Sequence, residues 1–243
     1  MKLFNSKDLD EYVNLNSNEE DPILLSMLAH EAKEDKDFTS HRWLLESSVQ
    51  RMAYYHMYID LLKTPKGFDT KKTVIDVGGG YCSLTRLLDL NHNYWLFDIM
   101  AHDIYPIPGY CRLVSEDWYE APVTCKYDII IANGLFPNTD QRLGLFIEKM
   151  LPNCKELRLL LTFYNNSRFY KTKRVDCEEI LYNSAWNGDQ LALMLNRYKY
   201  RIEGDPWNGV TDEQIYKVTH PTTGSLFDNG RYILMLKMRG FKS

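Results

Sequence analysis

The sequence lacks the features of several classes of protein. It has no run of about 20 apolar residues, so no transmembrane helix is predicted. The N-terminal Met1-Lys2-Leu3-Phe4 is followed by polar and acidic residues, not by the apolar core of a signal peptide. The five cysteines are odd in number and contain no C-x-x-C pair, so neither a disulfide framework nor a zinc site is indicated. These absences predict a soluble, cytoplasmic, metal-free protein with no membrane insertion.

The sequence also has no excess of positive charge. Its 29 lysines and arginines are outnumbered by 33 acidic residues, which gives a formal net charge of −4. Such a chain has no overall basic field to attract a phosphate backbone, so no nucleic-acid partner is expected. Glycine and proline are not over-represented either, at 13 and 9 of 243 residues. This length suits one α/β domain with an additional N-terminal segment.

The hydrophobic pattern changes near residue 67. Before it, residues 22–32 and 42–62 carry apolar side chains at helical spacing, so residues 1–66 are predicted to form a helical cap or lid. Over residues 67–243, β-branched runs alternate with helical segments, which predicts a mostly parallel sheet. The predicted strands are 73–77, 94–98, 111–114, 127–132, 157–163, 200–202 and 232–237. The predicted helices between them are 83–90, 140–150 and 188–198. The last strand is reached through a loop, which would allow it to lie antiparallel, as an edge or hairpin partner.

Three consecutive glycines follow the first predicted strand, in Asp76-Val77-Gly78-Gly79-Gly80. Glycines between a strand and a helix let the backbone turn tightly and approach a ligand. The dinucleotide fingerprint G-x-G-x-x-G would place a third glycine where this chain has Ser83. The carboxylate of Asp76 would repel a pyrophosphate but could pair with the ammonium group of S-adenosylmethionine. The turn therefore favours S-adenosylmethionine over NAD.

Two acidic positions follow the next strands. Asp98 ends the second strand, where a carboxylate can accept hydrogen bonds from the ribose hydroxyls of an adenosine, and Ile99 follows it in the same predicted site. Asp98 would serve NAD and S-adenosylmethionine equally. After the third strand, Asp117 is predicted to bind the adenine amino group and Trp118 to cover the adenine ring. The alternative for this pair is a solvated acidic turn with a partly buried tryptophan.

These motifs together resemble the class I S-adenosylmethionine-dependent methyltransferases over residues 74–150. The resemblance includes Asp-x-Gly-x-Gly after the first strand, Leu96-Phe97-Asp98 at the second, the acid–aromatic pair at the third and Tyr127–Asn133 at the fourth. It implies a Rossmann-like α/β fold, with a mostly parallel seven-stranded sheet whose last strand is antiparallel and an N-terminal helical cap. It also implies that Asp76 contacts the amino acid end of the cofactor and that the glycines line it.

A narrower resemblance covers residues 78–88. This segment is similar to sugar O-methyltransferases of bacterial surface-polysaccharide loci, although Cys82 stands where many of those proteins have another glycine. The resemblance implies a small-molecule acceptor, with a sugar or surface-glycan precursor as the leading class.

Candidate acceptor residues follow the fourth and fifth strands, since ligands in such sheets bind at the carboxyl ends of the strands. Asn133 is predicted to border the cofactor and Phe136 the acceptor. The Asn/Asp-Pro-Pro-aromatic signature of base methylases is absent, which counts against base methylation. The polar and aromatic loop after the fifth strand is predicted to recognise the acceptor through the side chains of Tyr164, Asn165 and Arg168. The alternative is a hydrated surface loop.

A hydroxyl acceptor needs a group that removes its proton. Two histidines in the predicted cap, His41 and then His56, are the candidates, although any one histidine is more often structural. The hypothesis is therefore a methyltransferase that converts S-adenosylmethionine to S-adenosylhomocysteine. An NAD-dependent oxidoreductase and an inactive methyltransferase-like scaffold are the alternatives.

Overall fold

The computed structural model describes residues 1–15, 21, 23, 25, 44, 46–62, 71–80, 88–99, 112–123, 125–173, 180–204 and 209–240. The strands are β1 (Lys2–Leu3), β2 (Thr73–Val77), β3 (Asn93–Phe97), β4 (Arg112–Val114), β5 (Tyr127–Asn133), β6 (Cys154–Phe163), β7 (Arg168–Lys173), β8 (Ile180–Ala185) and β9 (Tyr232–Arg239). The helices are α1 (Ser6–Leu15), α2 (Ser48–Leu62), α3 (Leu143–Met150), α4 (Gly188–Arg197) and α5 (Asp212–Thr219). None of the helices in these ranges combines the length and apolar character needed to cross a bilayer.

Seven of the strands form one sheet in the order β4-β3-β2-β5-β6-β9-β1. Strands β2 to β6 run parallel, whereas β9 is antiparallel to both β6 and β1. The chain runs outward from β2 through β3 to β4 and then returns to the other side of β2 as β5. This reversal opens a crevice at the carboxyl ends of β2 and β5, where such sheets bind ligands. The predicted Rossmann-like, mostly parallel seven-stranded sheet with an antiparallel last strand is confirmed.

The edge of the sheet differs from the prediction. The predicted strand 200–202 is reduced to a single bridge from Ile202 to Met238, and Lys2–Leu3 supplies the edge strand beside β9. Strand β1 thus lies within residues 1–66, which were predicted to be helical, because two residues are too few to show an alternating pattern. The last strand is also internal, with partners on both sides, so the expectation of an edge or hairpin position is wrong.

Two elements near the C-terminus were not predicted. Helix α5 lies in the polar stretch before β9 and begins with a capping box between Thr211 and Gln214. Strands β7 and β8 form a separate two-stranded hairpin. Most side chains of β7 are exposed. Its sequence therefore does not alternate between apolar and polar residues, which is the pattern that would have predicted a strand.

Helical layers cover both faces of the sheet. In β5, Ile130 and Ala132 face the core shared with α3, α4 and α5, whereas Ile129 and Ile131 face the core shared with α1 and α2. Neighbouring residues of a strand point to opposite faces, so burial on both faces explains the continuous apolar run of this strand.

A buried arginine fixes α2 to the middle of the sheet. Arg158 of β6 is 1% exposed and donates hydrogen bonds to both carboxylate oxygens of Asp60, at 2.7 Å each, and to the carbonyl oxygen of Met57. Although burial favours the neutral acid, the guanidinium holds the pKa of Asp60 well below its usual range. Strand β1 and helix α2 are thus integral to the sheet and its core, and the role of residues 1–66 as an acceptor lid stays a prediction.

Candidate functional site

The glycine turn lies at the carboxyl end of β2, beside β3. Gly78 has a φ of +67° and Gly80 a φ of +63°, in the left-handed region that side-chain-bearing residues rarely adopt. The Gly78 amide donates a 2.8 Å hydrogen bond to the carbonyl oxygen of Phe97, which ties the turn to the end of β3. The predicted glycine turn is therefore at the crevice between β2 and β5.

Asp76 supports this turn from beneath. Its side chain is fully buried, and its Oδ2 accepts hydrogen bonds from the hydroxyls of Tyr58 and Tyr94, each at 3.0 Å. A Cβ at Gly79 would lie 2.7 to 2.9 Å from the carboxylate atoms of Asp76, which is closer than real Cβ contacts. Glycine at position 79 is thus required by the carboxylate below it. Contact between Asp76 and the ammonium group of a cofactor stays a prediction.

A buried polar network connects the turn to α2 and β5. The Asn133 side-chain amide donates to the Tyr58 hydroxyl at 3.4 Å, and Tyr58 in turn donates to Asp76. Burial, and then the charge of Asp76, raises the pKa of Tyr58 well above its ordinary value, so this hydroxyl stays protonated. Sequence reasoning placed Asn133 at the site but did not predict that Tyr58, in the predicted cap, and Tyr94, in β3, would bind Asp76.

Removing the Tyr58 hydroxyl is expected to destabilise the fold. In Tyr58→Phe the buried carboxylate of Asp76 loses one of its donors, so the free energy of unfolding should fall by about 1–3 kcal/mol. Urea denaturation measures this change. The control is Tyr55→Phe on the same helix, where the hydroxyl makes no hydrogen bond within the described ranges. Equal stability of the two variants would contradict the proposed support of Asp76 by Tyr58.

Asp98 lies where the sequence predicted, directly after β3. Its Oδ2 accepts a 2.9 Å hydrogen bond from the Gly80 amide, and its own amide donates to the carbonyl oxygen of Val114 in β4. Ile99, the next residue, has a 54% exposed side chain. The structure thus brings Asp98 together with the glycine turn and leaves an exposed apolar side chain beside it.

The acid–aromatic pair after β4 differs from its prediction. Trp118 is only 4% exposed, donates to Asp140 through Nε1 and meets the Phe146 ring edge-on, with the centroids 5.0 Å apart. The guanidinium of Arg142 lies 4.7 Å over the indole ring. The ring is thus packed against core residues and Arg142, whereas the sequence predicted that it covers an adenine; that role of Trp118 stays a prediction.

Asp117 is more exposed to solvent than Trp118. It accepts a 2.8 Å hydrogen bond from Arg142, which lowers the pKa of the Asp117 carboxyl. Its side chain is 36% exposed. An exposed carboxylate at this point is compatible with the predicted contact to an adenine amino group, which stays a prediction.

Phe136 is a core residue. It is fully buried, with its ring centroid 4.7 Å from that of Phe146 and 5.9 Å from that of Trp118. The chain folds back after β5 and turns this ring into the core, and the predicted contact of Phe136 with an acceptor stays a prediction. The preceding residue, Leu135, instead approaches the glycine turn: a Cβ on Gly78 would lie 3.5 Å from its Cδ2. Sequence reasoning did not single out Leu135.

The predicted acceptor residues after β6 lie at the carboxyl edge of the sheet. Tyr164 is 3% exposed, and its hydroxyl donates to that of Tyr170 at 3.3 Å. The guanidinium of Arg168 lies 4.2 Å over the Tyr164 ring, whereas Asn165 is exposed. The structure therefore brings Tyr164 and Arg168 together. The predicted loop is in part the first strand of the β7–β8 hairpin.

Of the two candidate bases, the structure describes His56, which lies away from the glycine turn. His41 lies outside the described residues. The ring of His56 contacts those of Phe4 and Tyr55, and burial lowers the pKa of its imidazole. Phe4 follows β1, which β9, β6 and β5 separate from β2. His56 thus packs near the opposite edge of the sheet.

Solved structures with a similar arrangement include several methyltransferases. The magnesium protoporphyrin IX methyltransferase of Synechocystis PCC 6803, with bound SAM, is 14% identical over 99% of this chain and 100% of that chain, with a TM-score of 0.43. The 1,6-didemethyltoxoflavin-N1-methyltransferase of Burkholderia thailandensis is 14% identical over 84% of each chain, with a TM-score of 0.45. The O-methyltransferase from a trans-AT PKS multienzyme of Brevibacillus brevis is 12% identical over 86% of this chain and 80% of that chain, with a TM-score of 0.45.

No protein-family model matches the chain. No curated protein sequence matches it either.

Proposed function

We propose that this protein is a methyltransferase that binds S-adenosylmethionine at the glycine turn and transfers its methyl group to a small molecule. The observation that carries the proposal is the contact between Asp98 and Gly80. It fixes a carboxylate at the carboxyl end of β3 against a left-handed turn after β2. A carboxylate at this position suits the ribose hydroxyls of an adenosine.

The charges around the turn distinguish between adenosine cofactors. Asp76 lies beneath the glycines and Asp98 beside them. The Asp98 carboxylate suits the ribose of either cofactor, but the Asp76 carboxylate disfavours the pyrophosphate of NAD and suits a sulfonium cofactor, which carries positive charge and no phosphate. The proposal therefore prefers S-adenosylmethionine.

The residues at the turn fit this cofactor. Gly78 and Gly80 let the backbone pass close to a ligand, and Asp98 would hold the ribose. Asp76, held by Tyr58 and Tyr94, would keep the turn in this conformation. Bound S-adenosylmethionine supplies an electrophilic methyl group, and the chain has to orient the acceptor towards it.

The acceptor is proposed to be a sugar or surface-glycan precursor that is methylated on oxygen. The support is the narrow sequence resemblance of residues 78–88, together with the partly exposed Tyr170, which is hydrogen-bonded to Tyr164 at the carboxyl end of β6. Aromatic rings with a polar group can pack against a sugar ring and also bind its hydroxyls.

Calorimetric titration with S-adenosylhomocysteine, with NAD in parallel, tests the cofactor. We expect binding of S-adenosylhomocysteine alone, followed by acceptor-dependent release of S-adenosylhomocysteine from S-adenosylmethionine in a panel of sugars and nucleotide sugars. Binding of NAD alone would show an oxidoreductase instead. If S-adenosylhomocysteine binds but no acceptor gives product, the protein is a binding scaffold and the proposed activity is wrong.

A further inference from the structure

Two arginines and two tyrosines meet at the carboxyl end of β6. Tyr164 directly follows β6 and Arg231 directly precedes β9, and the pairing of Phe163 with Tyr232 places them side by side. The guanidinium of Arg168 lies 4.2 Å from the ring centroid of Tyr164. It lies 5.6 Å from that of Tyr170. The four side chains of Tyr164, Arg168, Tyr170 and Arg231 are called the β6-end cluster below.

Arg231 is a partly buried cation directly before β9. Its guanidinium lies 4.0 Å over the Phe227 ring, and its buried Nε makes no hydrogen bond. Burial lowers the pKa of Arg231, although the neighbouring Tyr164 and Tyr170 act in the opposite direction. A desolvated charge is costly unless an opposite charge or hydrogen bonds compensate it.

Arg168, the other arginine of the cluster, also lacks an acidic partner among the described residues. Arg168 donates a hydrogen bond to the carbonyl oxygen of Asn229, and within the described ranges no carboxylate lies within 4 Å of Arg168 or Arg231. Other arginines near the core are paired differently. Arg51 binds Asp21, Arg142 binds Asp117 and Asp140, and Arg158 binds Asp60 and Glu156. The β6-end cluster thus differs from these three arginines, because no described carboxylate lies beside it although the chain has a net charge of −4.

From these contacts we propose that the β6-end cluster binds an anionic group of the acceptor, through the guanidinium groups of Arg168 and Arg231. Guanidinium N–H groups are well suited to the oxygens of a phosphate or a carboxylate. The proposal rests on the proposed function for the identity of the acceptor, and it narrows that acceptor to an anionic molecule. The Tyr164 hydroxyl donates to the Tyr170 hydroxyl, which leaves the hydrogen of Tyr170 as a neutral donor at the same place.

The position of the cluster limits the shape of such an acceptor. Strand β6 is two strands away from β2, which is about 10 Å sideways. Asn133 lies opposite Leu160, so Tyr164 is about 13 Å further along the strand direction than the end of β5. The anion would thus lie on the order of 15 Å from the glycine turn. The acceptor would carry its charge well away from the atom that receives the methyl group.

Anion binding can be measured without the cofactor. The full chain, free of cofactor, is titrated with inorganic phosphate and separately with acetate at constant ionic strength, and the arginine Nε–H resonances are followed in ¹H–¹⁵N spectra. We expect saturable binding of at least one anion, and at least about tenfold weaker binding in Arg168→Met and in Arg231→Met, because each loses a charged hydrogen-bond donor. Preference for phosphate indicates a phosphorylated or nucleotide-linked acceptor, and preference for acetate indicates a carboxylated one.

Lys171→Met is the matched control. Lys171 is on the same hairpin strand as Arg168, three residues away, and its side chain points to the opposite face. We expect it to bind the anion as tightly as the wild type does. If neither anion saturates the wild type, or if Lys171→Met weakens binding as much as Arg168→Met does, the anion site is wrong. Because Arg168 is exposed, Arg168→Met should fold. This variant therefore tests the anion site even if Arg231→Met fails to fold. Failure of S-adenosylhomocysteine binding would instead overturn the proposed function and leave the anion titration unaffected.

Discussion

Asp98→Ala is expected to abolish measurable binding of S-adenosylhomocysteine while the fold is retained. Two hydrogen bonds from ribose hydroxyls to a carboxylate contribute about 1.5–3 kcal/mol each, so their loss should weaken binding by at least about 100-fold. The variant also removes the acceptor of the Gly80 amide, which loosens the turn that the cofactor would contact. Because Asp98 is only partly buried, the melting temperature should change little.

Calorimetry of the variant and of a control separates this effect from a general change in charge. Asp212→Ala removes an exposed carboxylate at the start of α5, where it binds Lys199 and lies outside the crevice between β2 and β5. Its affinity for S-adenosylhomocysteine should equal that of the wild type. Asp98→Asn keeps one oxygen acceptor, so its affinity for S-adenosylhomocysteine should lie between those of the wild type and Asp98→Ala. Wild-type affinity in Asp98→Ala would show that the ribose is held elsewhere.

Gly79→Ala is expected to damage both stability and cofactor binding. The new Cβ would lie 2.7 Å from Cγ of Asp76, and the hydrogen bonds from Tyr58 and Tyr94 prevent this carboxylate from moving aside. The glycine turn must shift instead. Forcing a methyl group into a packed site costs about 1–3 kcal/mol. We therefore expect a lower free energy of unfolding in urea and an affinity for S-adenosylhomocysteine that is at least about tenfold weaker.

The matched control for this steric effect is Gly224→Ala. A Cβ at Gly224 would meet no atom within 4 Å, and this glycine does not have a positive φ. Its stability and its cofactor affinity should be unchanged. If Gly79→Ala behaved like Gly224→Ala, the turn would be free to move away from Asp76, and the role of the carboxylate as its support would be wrong.

Much of the fold could be predicted from short stretches of the sequence. Short runs of β-branched, aromatic and other apolar residues located β2, β3, β5 and β9, because backbone preferences and burial on both faces act within a few residues. The positions of Gly78–Gly80 after β2 and of Asp98 after β3 were also predictable, because a turn and a strand end depend on neighbouring residues in the sequence. Lys2–Leu3 and the β7–β8 hairpin were not, because neither has enough apolar alternation to show which neighbour it pairs with.

Some features of the candidate site could likewise be predicted from the sequence, and others required the tertiary structure. The amino-acid sequence by itself determined the glycine turn and the placement of Asp98 at the end of a neighbouring strand. Only the tertiary structure placed Tyr58 beside Asp76, buried Phe136 and Trp118 in the core, and brought Arg168 and Arg231 to the same pair of tyrosines. The physical reason is that burial and counter-ions depend on which distant element covers a side chain. That information is contained in contacts between remote segments and not in the residues next to each side chain.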